Sequence, residues 1–146
     1  MSAYLLDVNV LVALAWPTHV LHERVSRSFG QHAQQGWATC PFTQLAFVRL
    51  LSNPAFSPDA LSAQNAVSLL ERNLDHPSHH FWPADITLQE ALEISGVRLN
   101  GHRQVTDAYL LGLALHKKGR LATCDGSLSA LLSEGRGEKS RIELIG

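Results

Sequence analysis

A chain of 146 residues with 45% apolar content can bury one sizeable core but hardly two, which fits a single domain over residues 1–146. A formal net charge of -1 excludes a protein coated in positive charge for indiscriminate binding to nucleic acid, although the charge is uneven: four basic against eight acidic residues up to Val97, then eight against five from Arg98 onward. That asymmetry fits either a basic surface facing a polyanion or an ordinary solvated face.

Two cysteines, Cys40 and Cys124, match neither a disulfide framework nor a zinc-site spacing, and both read as reduced thiols at strand ends. The longest apolar stretches, such as Val8 to Trp16 and Tyr109 to Leu115, fall well short of the roughly 18–20 residues that span a membrane. Asp7 and Asn9 interrupt the first apolar run where a signal peptide would continue it, so a cytoplasmic location without membrane contact is expected.

In chain order, Ala3 to Leu6 predicts a short strand, followed by Asp7 and a helix over Val8 to Trp16 that Pro17 stops. An amphipathic pattern predicts a helix from His19 to Gln34, closed by Gly36 before a strand from Trp37 to Cys40. Thr43 to Leu51 predicts a helix, and Ser57-Pro58-Asp59 starts another running toward Asn73. His80 to Trp82 predicts a strand and Thr87 to Ser95 a helix, before a polar, basic loop from Gly96 to Gln104. A strong helix over Thr106 to Lys118 ends at Gly119, and strands follow at Leu121 to Cys124 and Arg141 to Ile145. Such alternation predicts an α/β domain whose mainly parallel sheet of four to five strands is covered by helices on both faces. The paired histidines His19/His22 and His79/His80 read as surface residues.

In open parallel sheets, ligands gather beyond the carboxyl ends of the strands. Asp7 follows the first strand, Asp125 follows the fourth, and Asp107 sits in the first turn of the helix before it. Each has a local explanation: Asp7 as a helix cap, Asp107 as a complement to a helix dipole, Asp125-Gly126 as a turn. Together they form a set that repels itself unless a cation neutralises it. An oxygen-only donor set suits Mg²⁺ or Mn²⁺ rather than zinc.

The run Leu5-Leu6-Asp7-Val8-Asn9-Val10-Leu11 resembles the opening motif of PIN-domain VapC toxins. Pro41-Phe42-Thr43-Gln44-Leu45-Ala46-Phe47-Val48-Arg49-Leu50 with Leu51-Ser52-Asn53-Pro54 is similar to the second motif, Val105-Thr106-Asp107-Ala108-Tyr109-Leu110 to the third, and Ala122-Thr123-Cys124-Asp125 to the fourth. All four occur in order and cover essentially the whole chain. The resemblance implies a PIN-like three-layer α/β/α sandwich, metal-dependent endoribonuclease activity on RNA, a cognate antitoxin that blocks the site, and a homodimer. It makes Asp7 and Asp107 the principal metal-binding acids and Asp125 the further acidic position, with Asn9, Gln44 and Thr106 in a supporting shell. Those nucleases usually carry a glutamate where this chain has Gln44, which contributes an amide oxygen but no charge. Weaker metal binding is therefore expected, by roughly a few kcal/mol at most in so wet a site.

Arg98, His102 and Arg103, in the loop before Asp107, either contact phosphate or form a solvated polar loop. Arg49 either meets nucleic acid or pairs with a neighbouring acid. Trp16, Phe42 and Phe47 either line a groove for an antitoxin segment or belong to the core, the latter favoured for Phe47. Two rivals remain. A PIN-like binding module with a weakened metal site draws on Gln44, whereas a phosphatase of the haloacid dehalogenase type lacks its second carboxylate, because Asn9 stands there.

Overall fold

The computed structural model describes residues 3–32, 35–128 and 141–145. Among them, five strands, β1 (Tyr4–Leu6), β2 (Trp37–Thr39), β3 (His79–Phe81), β4 (Arg120–Thr123) and β5 (Ile142–Leu144), are interleaved with six helices. The helices are α1 (Val8–Ala15), α2 (His22–His32), α3 (Pro41–Leu51), α4 (Ala63–Leu74), α5 (Leu88–Ser95) and α6 (Val105–His116). Every strand pairing is parallel, in the order β3-β2-β1-β4-β5. Tyr4 lies beside Trp37 and Arg120, and Leu5 beside Ala38 and Leu121.

Side chains alternate across a strand, so neighbours serve opposite layers. Leu5, Ala38 and Leu121 join Ala91 and Leu110 in one core, under α5 and α6, while Tyr4, Leu6, Trp37 and Ala122 join Leu11, Phe47 and Leu70 in the other, against α1 to α4. From β1 the chain adds β2 and β3 on one side, then crosses back to place β4 on the other. Right-handed crossovers require the connecting helices to change faces when the direction of addition reverses, which yields the predicted three layers. The reversal opens a crevice at the carboxyl ends of β1 and β4.

Local chemistry sets the element boundaries. Asp7 caps α1, its Oδ1 accepting the Val8 N–H at 2.8 Å. Pro41 begins α3, two residues ahead of the predicted start, because a proline at the first helical position forfeits no hydrogen bond. Thr87 and Glu90 form a reciprocal capping box at α5, and Gly96, at φ +71°, ends it.

Two helices start three or more residues later than expected. The helix predicted from His19 begins at His22, because the His19 ring accepts the Leu21 N–H at 3.0 Å and holds that segment in a turn; Gln34, its expected end, lies outside the described residues. The helix predicted from Ser57-Pro58-Asp59 begins at Ala63. Ser57 spends its hydroxyl on the Asp59 N–H, and Ser62 supplies the cap instead, through Asn65 N–H at 3.1 Å. The third strand is displaced by one residue from His80–Trp82.

Of the histidines read as surface residues, His80 is exposed, whereas His19, His22 and His79 are half-buried. His22 places Nδ1 2.7 Å from the Ala13 carbonyl oxygen, and the His79 ring lies 4.7 Å from that of Trp37. Both cysteines are free, Cys40 buried after β2 and Cys124 half-buried after β4, as expected. No helix among the described residues is long and apolar enough to cross a membrane.

Helices α5 and α6 meet at Gly112, where an added Cβ would fall on the Ala91 carbonyl oxygen and 2.6 Å from the Ala91 Cα. These are backbone atoms that cannot swing aside. Gly112→Ala is expected to destabilise the fold by about 1–3 kcal/mol despite the better helix propensity of alanine, as measured by urea denaturation. An unchanged or raised midpoint would contradict this packing.

Candidate active site

The crevice between β1 and β4 is stitched across its upper edge. The Asp7 N–H donates to the Ala122 carbonyl at 2.9 Å, continuing the parallel pairing one residue past β1. The Asp7 side chain is 5% exposed, and beyond its capping bond its Oδ2 accepts the Thr123 hydroxyl at 2.9 Å. Burial pushes the Asp7 carboxyl up from its ordinary value; the Thr123 hydroxyl and Val8 N–H pull it back, and the charge of Asp125 adds to the rise.

Thr123 is the hub of this corner. Fully buried at the end of β4, its oxygen also accepts the Asp125 N–H at 3.0 Å and lies 3.4 Å from Asn9 Nδ2. With its acceptor positions facing N–H groups, its single proton goes to Asp7. Asn9 adds a second tie between the strands: Oδ1 accepts the Cys124 N–H at 3.1 Å, while Nδ2 stands 3.5 Å from Asp7 Oδ2. Thr123 lay inside the fourth motif but carried no assignment. The available signal was its position two residues before Asp125, where a short polar side chain can turn back onto the backbone.

Asp125 is exposed, its Oδ1 accepting the Ser127 N–H at 2.9 Å in a local turn. Asp107, in the first turn of α6, is half-buried and has no hydrogen bond among the described residues. Burial, followed by the charges of Asp7 and Asp125, pushes its carboxyl up to about 6. The two ion pairs among the described residues, Lys117–Asp85 and Arg120–Glu143, involve none of these aspartates. The three acids are thus coupled electrostatically, and among the described residues no cationic side chain is paired to them.

The other predicted residues lie on neighbouring elements. Gln44, early in α3, donates its amide Nε2–H to Thr39 Oγ1 at 3.0 Å. Thr106 is exposed and lines an apolar groove with Phe42, Ile86, Leu88 and Tyr109. Arg98, His102 and Arg103 are all exposed on the segment entering α6, the last two in a 3-10 turn over His102–Gln104. Arg49 is exposed near the end of α3. Of the three aromatic residues, Phe47 is wholly core, Trp16 half-buried, and Phe42 is 45% exposed with its ring edge-on to Tyr109 at 5.2 Å.

Residues 4–131 match the model of the PIN domain. Ribonuclease VapC39 of Mycobacterium tuberculosis is 39% identical over 131 residues, covering 90% of this chain and 94% of its own. Ribonuclease VapC44 of the same organism is 42% identical over 125 residues, 86% of this chain and 87% of its own, and Ribonuclease VapC38 is 39% identical over 141, 97% and 96%. Among solved structures, a chain of VapBC2 from Rickettsia felis, crystallised with a DNA fragment from their promoter, superposes with a TM-score of 0.65 over 99% of both chains at 11% identity. That likeness is one of fold.

Thr123→Val removes the hydroxyl while keeping the shape and leaves the Asp7 carboxylate short of a donor. It is expected to cost about 1–3 kcal/mol in urea denaturation at neutral pH, with Thr123→Ser recovering most of the loss. Equal stability of the valine variant would remove Thr123 from its role. A second outcome follows from Asp107. Its folded carboxyl titrates near 6, above its ordinary 3.8, so the folded state holds the extra proton between those values. Stability contributed by the protonated form is complete below about 4 and is lost as pH rises through about 6. In metal-free protein, the difference in stability between wild type and Asp107→Asn should widen in favour of the variant across that window. A difference independent of pH would refute the shift.

Proposed function

Because the chain belongs to the PIN-domain family, we propose that it is a metal-dependent endoribonuclease, acting in the cytoplasm as the toxin of a toxin–antitoxin pair. The observation that carries the chemistry is Asp107: a half-buried carboxylate without a hydrogen bond among the described residues, raised by burial and by two neighbouring acids that no cationic side chain among those residues offsets. Such a group is held ready for a cation from solution.

The donor set fits Mg²⁺ or Mn²⁺. Among the described residues no three His, Cys, Asp or Glu side chains are arranged to enclose an ion by themselves. Zinc or calcium would want a fuller protein cage, whereas Mg²⁺ is commonly held by one or two carboxylates with water and substrate phosphate filling its remaining positions. Asp7 and Asp107 would be the holding pair. When bound, the ion supplies neutralisation of charge on the phosphodiester and lowers the pKa of a coordinated water.

The chain's own residues do the rest. Val8 and Thr123 fix the direction of the Asp7 carboxylate, each holding one of its oxygens. Asn9 and Thr123 fix Asp125 and Cys124 through their backbone N–H groups, leaving Asp125 Oδ2 to orient a water molecule or to serve a second ion. Arg98, His102 and Arg103 are placed in solvent at the mouth of α6, where guanidinium groups grip RNA phosphates. The antitoxin would cover the exposed apolar groove around Phe42, and the family's homodimer is the expected assembly.

Purified, antitoxin-free protein incubated with total bacterial RNA should cut it only when Mg²⁺ or Mn²⁺ is added, and both Asp7→Asn and Asp107→Asn should abolish cutting while remaining folded. Full activity in either variant would overturn the assignment. RNA that is bound but never cut, at any metal concentration, would favour the binding-module reading that Gln44 supports.

A further inference from the structure

Gln44 stands where a carboxylate is usual, and the neighbours of its amide are unusual as well. Thr39, at the end of β2, is completely buried, and its Oγ1 lies between two nitrogens: Gln44 Nε2 at 3.0 Å and His79 Nε2 at 2.8 Å. The hydroxyl has one proton to give and can accept from the other side. Its direction depends on which His79 nitrogen carries hydrogen.

The backbone carbonyl of Leu74 acts on the His79 ring and favours a proton there, and with Nε2 held against Thr39 the nitrogen left for that carbonyl is Nδ1. The ring sits against Trp37, with His76 and His80 as its titratable neighbours. Burial, His80 and His76 all disfavour a second proton. A neutral ring protonated at Nδ1 leaves Nε2 as an acceptor, and Thr39 is its donor. Thr39 must then accept from position 44, which only an N–H can satisfy. A glutamate there would break this chain of donors.

We propose that Thr39 and His79 are positioning residues for Gln44: Thr39, held by His79, takes the amide N–H and leaves Oε1, which has no hydrogen bond among the described residues, as the group offered to the acidic edge. The placement supports this, because α3 begins at the carboxyl end of β2, the strand beside β1 and Asp7. The inference rests on the metal-dependent reading for its consequence, and its geometry stands apart from it. Gln44 thus supplies a neutral oxygen in a fixed orientation where a carboxylate would supply charge.

The hydrogen-bond order is read by ¹⁵N NMR of histidine-labelled full chain, free of metal and RNA. His79 should carry its proton on Nδ1 in the wild type. In Gln44→Glu, Thr39 has to turn its proton to the carboxylate, so His79 should move its proton to Nε2 or gain a second one. A wild-type ring protonated on Nε2, or no change in Gln44→Glu, overturns the proposal whatever a nuclease assay shows. Calorimetric titration with Mn²⁺ then reads the consequence: Thr39→Val should bind about 10-fold more weakly, with Thr39→Ser close to wild type. No loss in the valine variant, or an equal loss in both, overturns it too.

Discussion

A carboxylate withdrawn from water must be given hydrogen bonds by its surroundings or give up its charge, and the acidic edge of this fold is built around that constraint at Asp7. Its two oxygens receive one bond from the start of α1 and one from the end of β4. The first is an ordinary helix cap. The second can form only when β4 lies beside β1, so the same contact that keeps Asp7 ionisable also records that the sheet has closed correctly. Thr123 then extends the arrangement to Asp125 and Asn9 without bringing in any positive charge. A basic residue would have stabilised Asp7 more simply, but it would also have cancelled the negative charge of this edge.

Much of this was legible in the sequence. Short apolar runs alternating with helical patterns gave the layers, because a parallel sheet buries both faces and leaves little room for polar residues in its strands. The positions of Asp7 and Asp125 just past the first and fourth predicted strands placed them at one edge once the sheet was assumed parallel. What stayed hidden depended on competition between near-equal local options. Ser57 and Ser62 are both good caps, and only the bond from Ser57 to Asp59 shows which one starts α4. The role of Thr123 was hidden for a different reason: a threonine in a strand is unremarkable until the strand's partner is known. His79 looked like one of a surface pair because sequence does not reveal that Trp37 lies beside it.

Gln44 shows how a departure from a family pattern is absorbed. Counting charges alone makes it a loss. Its amide also brings a donor that a carboxylate lacks, and the buried Thr39 hydroxyl, itself bonded to the His79 ring, accepts from that donor. The substitution is therefore a property of three side chains on β2, β3 and α3. On the proposal above, a carboxylate at position 44 alone would leave Thr39 and His79 arranged for an amide.

The bond between Asp7 and Thr123 also has a meaning in time. The two residues are 116 positions apart in the chain, so a ribosome adding ~5–20 residues per second makes the first many seconds before the second. Throughout that interval the nascent chain carries an acid without its partner strand and cannot assemble the crevice. Cleaving power arrives only when β4 docks, and a cell making this protein has that delay in which to supply whatever restrains it.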